Sequence, residues 1–161
     1  MWNSKTGEEE KRVVMKVPDE ILSLSFSPDS SHIVVSCVLG DIRVWSRTSG
    51  DICTFCGHTK PVYFTAYSLD GTHIVLAESL FNDASDVTAW VWNSSTRACI
   101  FMCPGSAAVF SPNGTHIAIT SKTTIQVWSV LGLSSESPCS ATFKFPPEMS
   151  KAYSLIYSPD G

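Results

Sequence analysis

Short stretches in which every second residue is apolar recur along the chain. In Asp41-Ile-Arg-Val-Trp45, Ile42 and Val44 point one way while Arg43 and Trp45 point the other. A period of two is strand behaviour, and runs of five or six residues are strand lengths. Reading the chain in order, the pattern predicts strands over Leu22–Phe26, His32–Ser36, Asp41–Trp45 and Asp51–Phe55. A second group follows: an apolar run ending at Tyr67, then His73–Ser79, Val87–Trp92 and Arg97–Met102. The third comprises Ala107–Phe110, His116–Thr120, Thr124–Trp128 and Ala141–Phe145. An outer strand over Lys11–Val17 and a last strand over Ala152–Tyr157 are expected at the two ends. A lone sheet rarely turns a tryptophan to solvent, so apolar groups on both sides of one strand predict sheets buried on both faces.

These groups are copies of one unit. A turn phrase occurs four times: Phe26-Ser-Pro-Asp-Ser, Tyr67-Ser-Leu-Asp-Gly, Phe110-Ser-Pro-Asn-Gly and Tyr157-Ser-Pro-Asp-Gly. Pro sets the first central φ of the turn, Asp or Asn suits the next position, and Gly accommodates a positive φ after it. Each phrase separates an aromatic-ended strand from an apolar one, which is a hairpin. Leu69 replaces Pro in the second copy, but Asp70-Gly71 keeps the turn. Tryptophans recur at positions 2, 45, 92 and 128. Four short strands every 40–45 residues or so is the period of a propeller blade. An antiparallel sandwich explains the strands but not the period.

The stretch Gly57 to Asn93 carries the fullest copy. It opens with Gly57-His58 and closes with Trp92-Asn93. It resembles one unit of the WD-repeat β-propeller family, whose units begin near Gly-His and end near Trp-Asp; here Asn93 stands in place of Asp. The resemblance implies an all-β, incomplete ring of four-stranded antiparallel blades. It divides the chain into a blade piece over 1–17, blades over about 18–55, 56–102 and 103–145, and the start of another over 146–161. It also implies a rigid non-enzymatic scaffold that binds other proteins. In the family, a turn His, a second-strand Ser or Thr, a loop Asp and the third-strand Trp form a hydrogen-bonded chain. The matching residues are His58, Ser79, Asp86 and Trp92. The first copy has Leu39 and the third Lys122 at the Asp position, and neither has Gly-His.

Ser79, His58 and Asp86 also have the composition of a catalytic triad. That chemistry needs an exposed hydroxyl and an oxyanion hole, and no G-x-S-x-G elbow is present. The inner strands hold Ser, Leu, Ala, Phe and Tyr rather than a cluster of Asp, Glu or His, so catalysis and a cofactor are not expected. Cys53, Cys56, Cys99 and Cys103 suggest zinc by spacing. On a strand, though, residues three apart face opposite ways and residues four apart lie about 13 Å apart. Buried free thiols are expected, with no metal. Two segments depart from the repeat, Leu80–Ser85 and Val130–Pro138. Loops are where recognition usually lives. Leu80, Phe81, Asn82 and Asp83 form a candidate partner-binding tip because Phe81 is apolar in a polar loop.

Composition narrows the partners. The net charge is −4, and no Lys/Arg cluster exceeds Lys11-Arg12, which speaks against nucleic acid. No apolar run approaches the roughly 20 residues of a membrane span, and the polar, acidic start is unlike a signal peptide. A cytoplasmic or other intracellular location with reduced thiols is expected. Two uses remain alongside the scaffold: a recognition array within a larger multi-domain receptor, and an enzymatic propeller. Three blades fall short of the four or so that a ring needs, so self-association or a longer chain is expected to complete it.

Overall fold

The structure, a computed structural model, describes residues 5–8, 17, 19–78, 87–121, 123–134, 136–146 and 155–160. They form three four-stranded antiparallel sheets. The first holds β1 (Ile21–Phe26), β2 (His32–Cys37), β3 (Ile42–Ser46) and β4 (Ile52–Phe55). The second holds β5 (Val62–Tyr67), β6 (His73–Glu78), β7 (Thr88–Asn93) and β8 (Cys99–Pro104). The third holds β9 (Ala107–Phe110), β10 (His116–Thr120), β11 (Thr124–Ser129) and β12 (Ala141–Lys144). Each sheet is a plain up-and-down meander, with strands paired in chain order.

The sheets stack face to face. Val34, Ile42, Val44 and Phe55 of the first meet Val62, Ile74, Leu76 and Trp92 of the second in one core. Val75, Ala89, Val91, Phe101 and Cys103 on the other side of the second sheet meet Ala108, Phe110, Ile117 and Ile119 of the third. Odd and even positions of β6 therefore serve different cores, which is why its sequence reads as an unbroken apolar run. The first strands of successive sheets lie together, β1 against β5 and β5 against β9, so the stack fans out from its inner strands. There Ser23 Oγ is 3.1 Å from Thr65 Oγ1, and Ser36 Oγ donates to the Val62 carbonyl at 2.7 Å.

The outward face of the first sheet carries Trp45, Ile33, Val35 and Cys37, with Val17 packed on them. Leu24 and Phe26, opposite Val35 and Ile33, share that face and are about half exposed. At the other end Ile125 and Val127 are half-buried and Phe143 is largely exposed. The ring is not closed by the described residues.

Two expectations change, and a third lies almost wholly outside the described residues. Of the expected strand over 152–157, residues 152–154 lie outside the described residues; Leu155, Ile156 and Tyr157 lie in no strand, because among the described residues none pairs with them, and a strand exists only through its ladder bonds. Of the expected strand over 11–17, only Val17 is described. The outer strand of the second sheet runs over Cys99–Pro104 rather than 97–102, since Arg97 is held at φ 60° in the preceding turn and the ladder shifts register between Val91 and Trp92.

Candidate functional site

The repeated phrase builds a closed hydrogen-bond knot in each sheet. Ser68 Oγ donates to Asp70 Oδ1 at 2.6 Å and accepts from the His73 amide at 2.9 Å. Asp70 in turn accepts from the Thr72 amide at 3.0 Å and the Thr72 hydroxyl at 2.8 Å. The Thr72 hydroxyl also meets His73 Nδ1 at 2.7 Å. Ser27, Asp29, Ser31 and His32 repeat this in the first sheet. Ser111, Asn113, Thr115 and His116 repeat it in the third. The serines are buried because each one joins both ends of its hairpin. The turns close with a positive φ at Gly71 and Gly114, and Ser30 takes the same place at φ 58°. The donors around Asp29 hold its carboxyl far below the usual range, Ser27 and Ser31 foremost. At Asp70, burial pushes the other way, but the bonds from Ser68 and Thr72 together outweigh it and the pKa is lowered. Sequence reasoning assigned these phrases to backbone geometry and missed the serines, although a Ser precedes the turn in every copy.

His58 sits in the connection from β4 to β5, and its side chain is 0% exposed. Nδ1 donates to Glu78 Oε1 at 2.9 Å. Glu78, the last residue of β6, was not among the expected partners; its place at a strand end beside the neighbouring sheet was the available signal. The Trp90 ring lies 4.7 Å from the imidazole and the Trp92 ring 5.6 Å, with Phe55 edge-on to Trp92 at 5.3 Å. Burial lowers the His58 pKa, against the opposing pull of Glu78. From above, the Gly40 turn presses on this connection: a Cβ there would stand 2.8 Å from the His58 carbonyl oxygen. Among the described residues, His58 Nε2 and the indole nitrogens of Trp90 and Trp92 meet no hydrogen-bond partner. Thus the structure brings His58 and Trp92 into ring proximity. Ser79, Asp86 and the tip Leu80, Phe81, Asn82 and Asp83 lie outside the described residues.

The cysteines are all free among the described residues. Cys103 is buried, and burial pushes its thiol up to about 12. Cys56 and Cys99 are exposed, contrary to the expectation of buried thiols: Cys56 follows the end of β4 and Cys99 opens β8. Among the described residues, no three of His, Cys, Asp and Glu converge as a metal centre.

Between the first and second sheets, on the face carrying the turn phrases, is a groove of about 580 Å3. The long β11–β12 loop is on the same face. Its Val130 and Leu133 are buried in the core, and Val130 is tied to the Thr115 carbonyl at 2.9 Å, while Leu131 between them is 92% exposed.

The comparisons agree with this architecture. Residues 11–46 match the family profile for the WD domain, G-beta repeat. The crystal structure of RRP9 WD40 repeats superposes with a TM-score of 0.66 at 22% identity, over 86% of this chain and 42% of that one. The structure of U3-55K gives the same score and identity, over 86% and 43%. The fold is the WD-repeat blade fold. Each sheet is one blade. In sequence, the chain is similar to the SIR4-interacting protein SIF2 of Saccharomyces cerevisiae, at 28% identity over 78 residues, or 48% of this chain and 14% of that protein. The chain thus spans less than half the length of each of these relatives. Among the described residues, no helix is long and apolar enough to cross a membrane.

Proposed function

We propose that the chain is a non-enzymatic scaffold for protein–protein contacts, one part of a longer WD-repeat protein that works inside the cell. The observation that carries this is the state of the buried His58–Glu78 pair. His58 and Glu78 have the chemistry of a catalytic dyad, but the imidazole is sealed under Trp90 and Trp92, and its Nδ1 is committed to Glu78. A general base must reach the proton that it abstracts. Here the pair fixes the Gly-His connection between two blades instead. The serine hydroxyls of the turn phrases are likewise committed to holding hairpins. What remains is a rigid set of blades with turns and loops on its faces, and rigid frames with loops are interaction surfaces. Similarity to a protein named for an interacting partner supports this reading.

The test pairs capture with surface variants. The tethered chain is expected to retain a defined protein in stoichiometric amount. Leu131→Asp is expected to weaken that retention while leaving the far-UV circular dichroism unchanged. Turnover of ester or phosphoester probes that is lost in His58→Ala, with the fold intact, would contradict the proposal.

A further inference from the structure

We propose that the groove between the first two blades receives a Lys or Arg side chain from an extended segment of a partner protein, whose neighbouring apolar side chain rests on Leu69. This rests on the scaffold reading and adds to it a surface and a kind of partner.

The groove has Tyr67 and Cys53 on its floor, where they pack on the interblade core, and Asp29 and Asp70 in its walls. Its volume lies within the range of side-chain and small-ligand sites. Neither aspartate makes an ion pair among the described residues. The turn does not require their charge. In the third blade, Asn113 occupies the same place, accepting from Ser111 Oγ at 2.7 Å, the Thr115 amide at 3.0 Å and the Thr115 hydroxyl at 2.7 Å. Both carboxylates are therefore charge in excess of what the hairpin uses, and both flank one concavity. Their low pKa values keep that charge in place well into the acid range.

Leu69 stands where the other three phrases have Pro28, Pro112 and Pro159. It is 61% exposed at the groove edge. A cation in a groove lined by two carboxylates and a tyrosine gains charge-assisted hydrogen bonds, with an aromatic ring at hand. Arg97 also lines the groove and opposes such a ligand.

Isotope-labelled full chain is titrated with blocked peptides of sequence Gly-Leu-Arg-Leu-Gly and Gly-Leu-Glu-Leu-Gly, with amide shifts read by NMR. The arginine peptide is expected to shift the amides of Ser30, Gly71 and Ser95, and the glutamate peptide to leave them in place. The double variant Asp29→Asn with Asp70→Asn is expected to weaken binding by about tenfold at an unchanged melting temperature. Arg97→Asn is expected to strengthen it. Equal shifts with both peptides, none with either, or undiminished binding in the double variant would overturn the assignment. Loss of the groove response together with partner capture that still depends on Leu131 would remove this inference and leave the scaffold standing.

Discussion

Phe55 and Phe143 are register equivalents. Each lies opposite the isoleucine three residues before its blade's tryptophan, Ile42 in the first blade and Ile125 in the third. Phe55 is 4% exposed and Phe143 is 58% exposed. The difference lies outside the blades. Phe55 meets Trp92 of the following blade, and among the described residues no following blade covers Phe143.

Phe55→Ala is therefore expected to cost about 3–5 kcal/mol, the usual penalty for emptying a core aromatic site. Phe143→Ala is expected to change the stability of this chain by less than about 0.5 kcal/mol. Urea midpoints of the two variants make the comparison. Similar shifts would show that the Phe143 face is covered.

His58 gives stability a pH dependence. Its folded pKa lies below the ordinary 6.5, so the unfolded chain takes up a proton first as pH falls. Stability is then full above about pH 6.5 and declines as the pH falls below it. His73 acts in the same direction, since burial lowers its pKa too. His58→Ala is expected to cost about 1–3 kcal/mol at neutral pH by leaving Glu78 without its buried donor, and to flatten the slope just below pH 6.5. An unchanged slope in that variant would contradict the placement of His58. The same change at His32 or His116, at the hairpin ends, is expected to matter less.

The serines of the turn phrases carry more than their size suggests. Ser68→Ala removes a donor to Asp70 and an acceptor for the His73 amide, and is expected to cost about 1–3 kcal/mol. Asp70→Asn is expected to be nearly neutral, because Asn113 already makes those bonds in the third blade. Thermal melts of the two variants decide it; a larger loss for the asparagine variant would show that charge holds the turn.

Backbone sign separates two small residues. Ser30 holds φ 58° where its counterparts are glycines, so Ser30→Gly is expected to be neutral or to stabilise by up to about 1 kcal/mol. Gly40→Ala combines φ 84° with a Cβ pressed on the His58 carbonyl, and is expected to cost about 2–4 kcal/mol. Chemical denaturation reads both, and a harmless Gly40→Ala would show that the His58 connection has room to shift.

The strands, the hairpins and the burial of both faces were legible in the sequence because each is written locally. Ile42 and Val44 on one side of β3, with Trp45 on the other, are already a two-faced strand. The phrase Ser-Pro-Asp names its own turn. The partner of His58 was not legible. Glu78 reaches it across 20 positions, and only the stacking of β6 beside the β4–β5 connection brings them together. The groove was hidden for the same reason, since Asp29 and Asp70 belong to different blades and share a concavity only after packing. Cys56 and Cys99 were misjudged because burial of a thiol depends on where a strand ends, and strand ends are set by pairing.

Sedimentation velocity on the chain alone tests most directly the claim that the blade stack is open at its Phe143 face. Exposed apolar faces and unpaired strand edges drive association. Over a series of concentrations, the chain is expected to associate or aggregate and to bind a hydrophobic dye, and Phe143→Asp is expected to reduce both. A compact monomer at every concentration, with a cooperative melt and no dye binding, would show that the stack is complete and contradict the account.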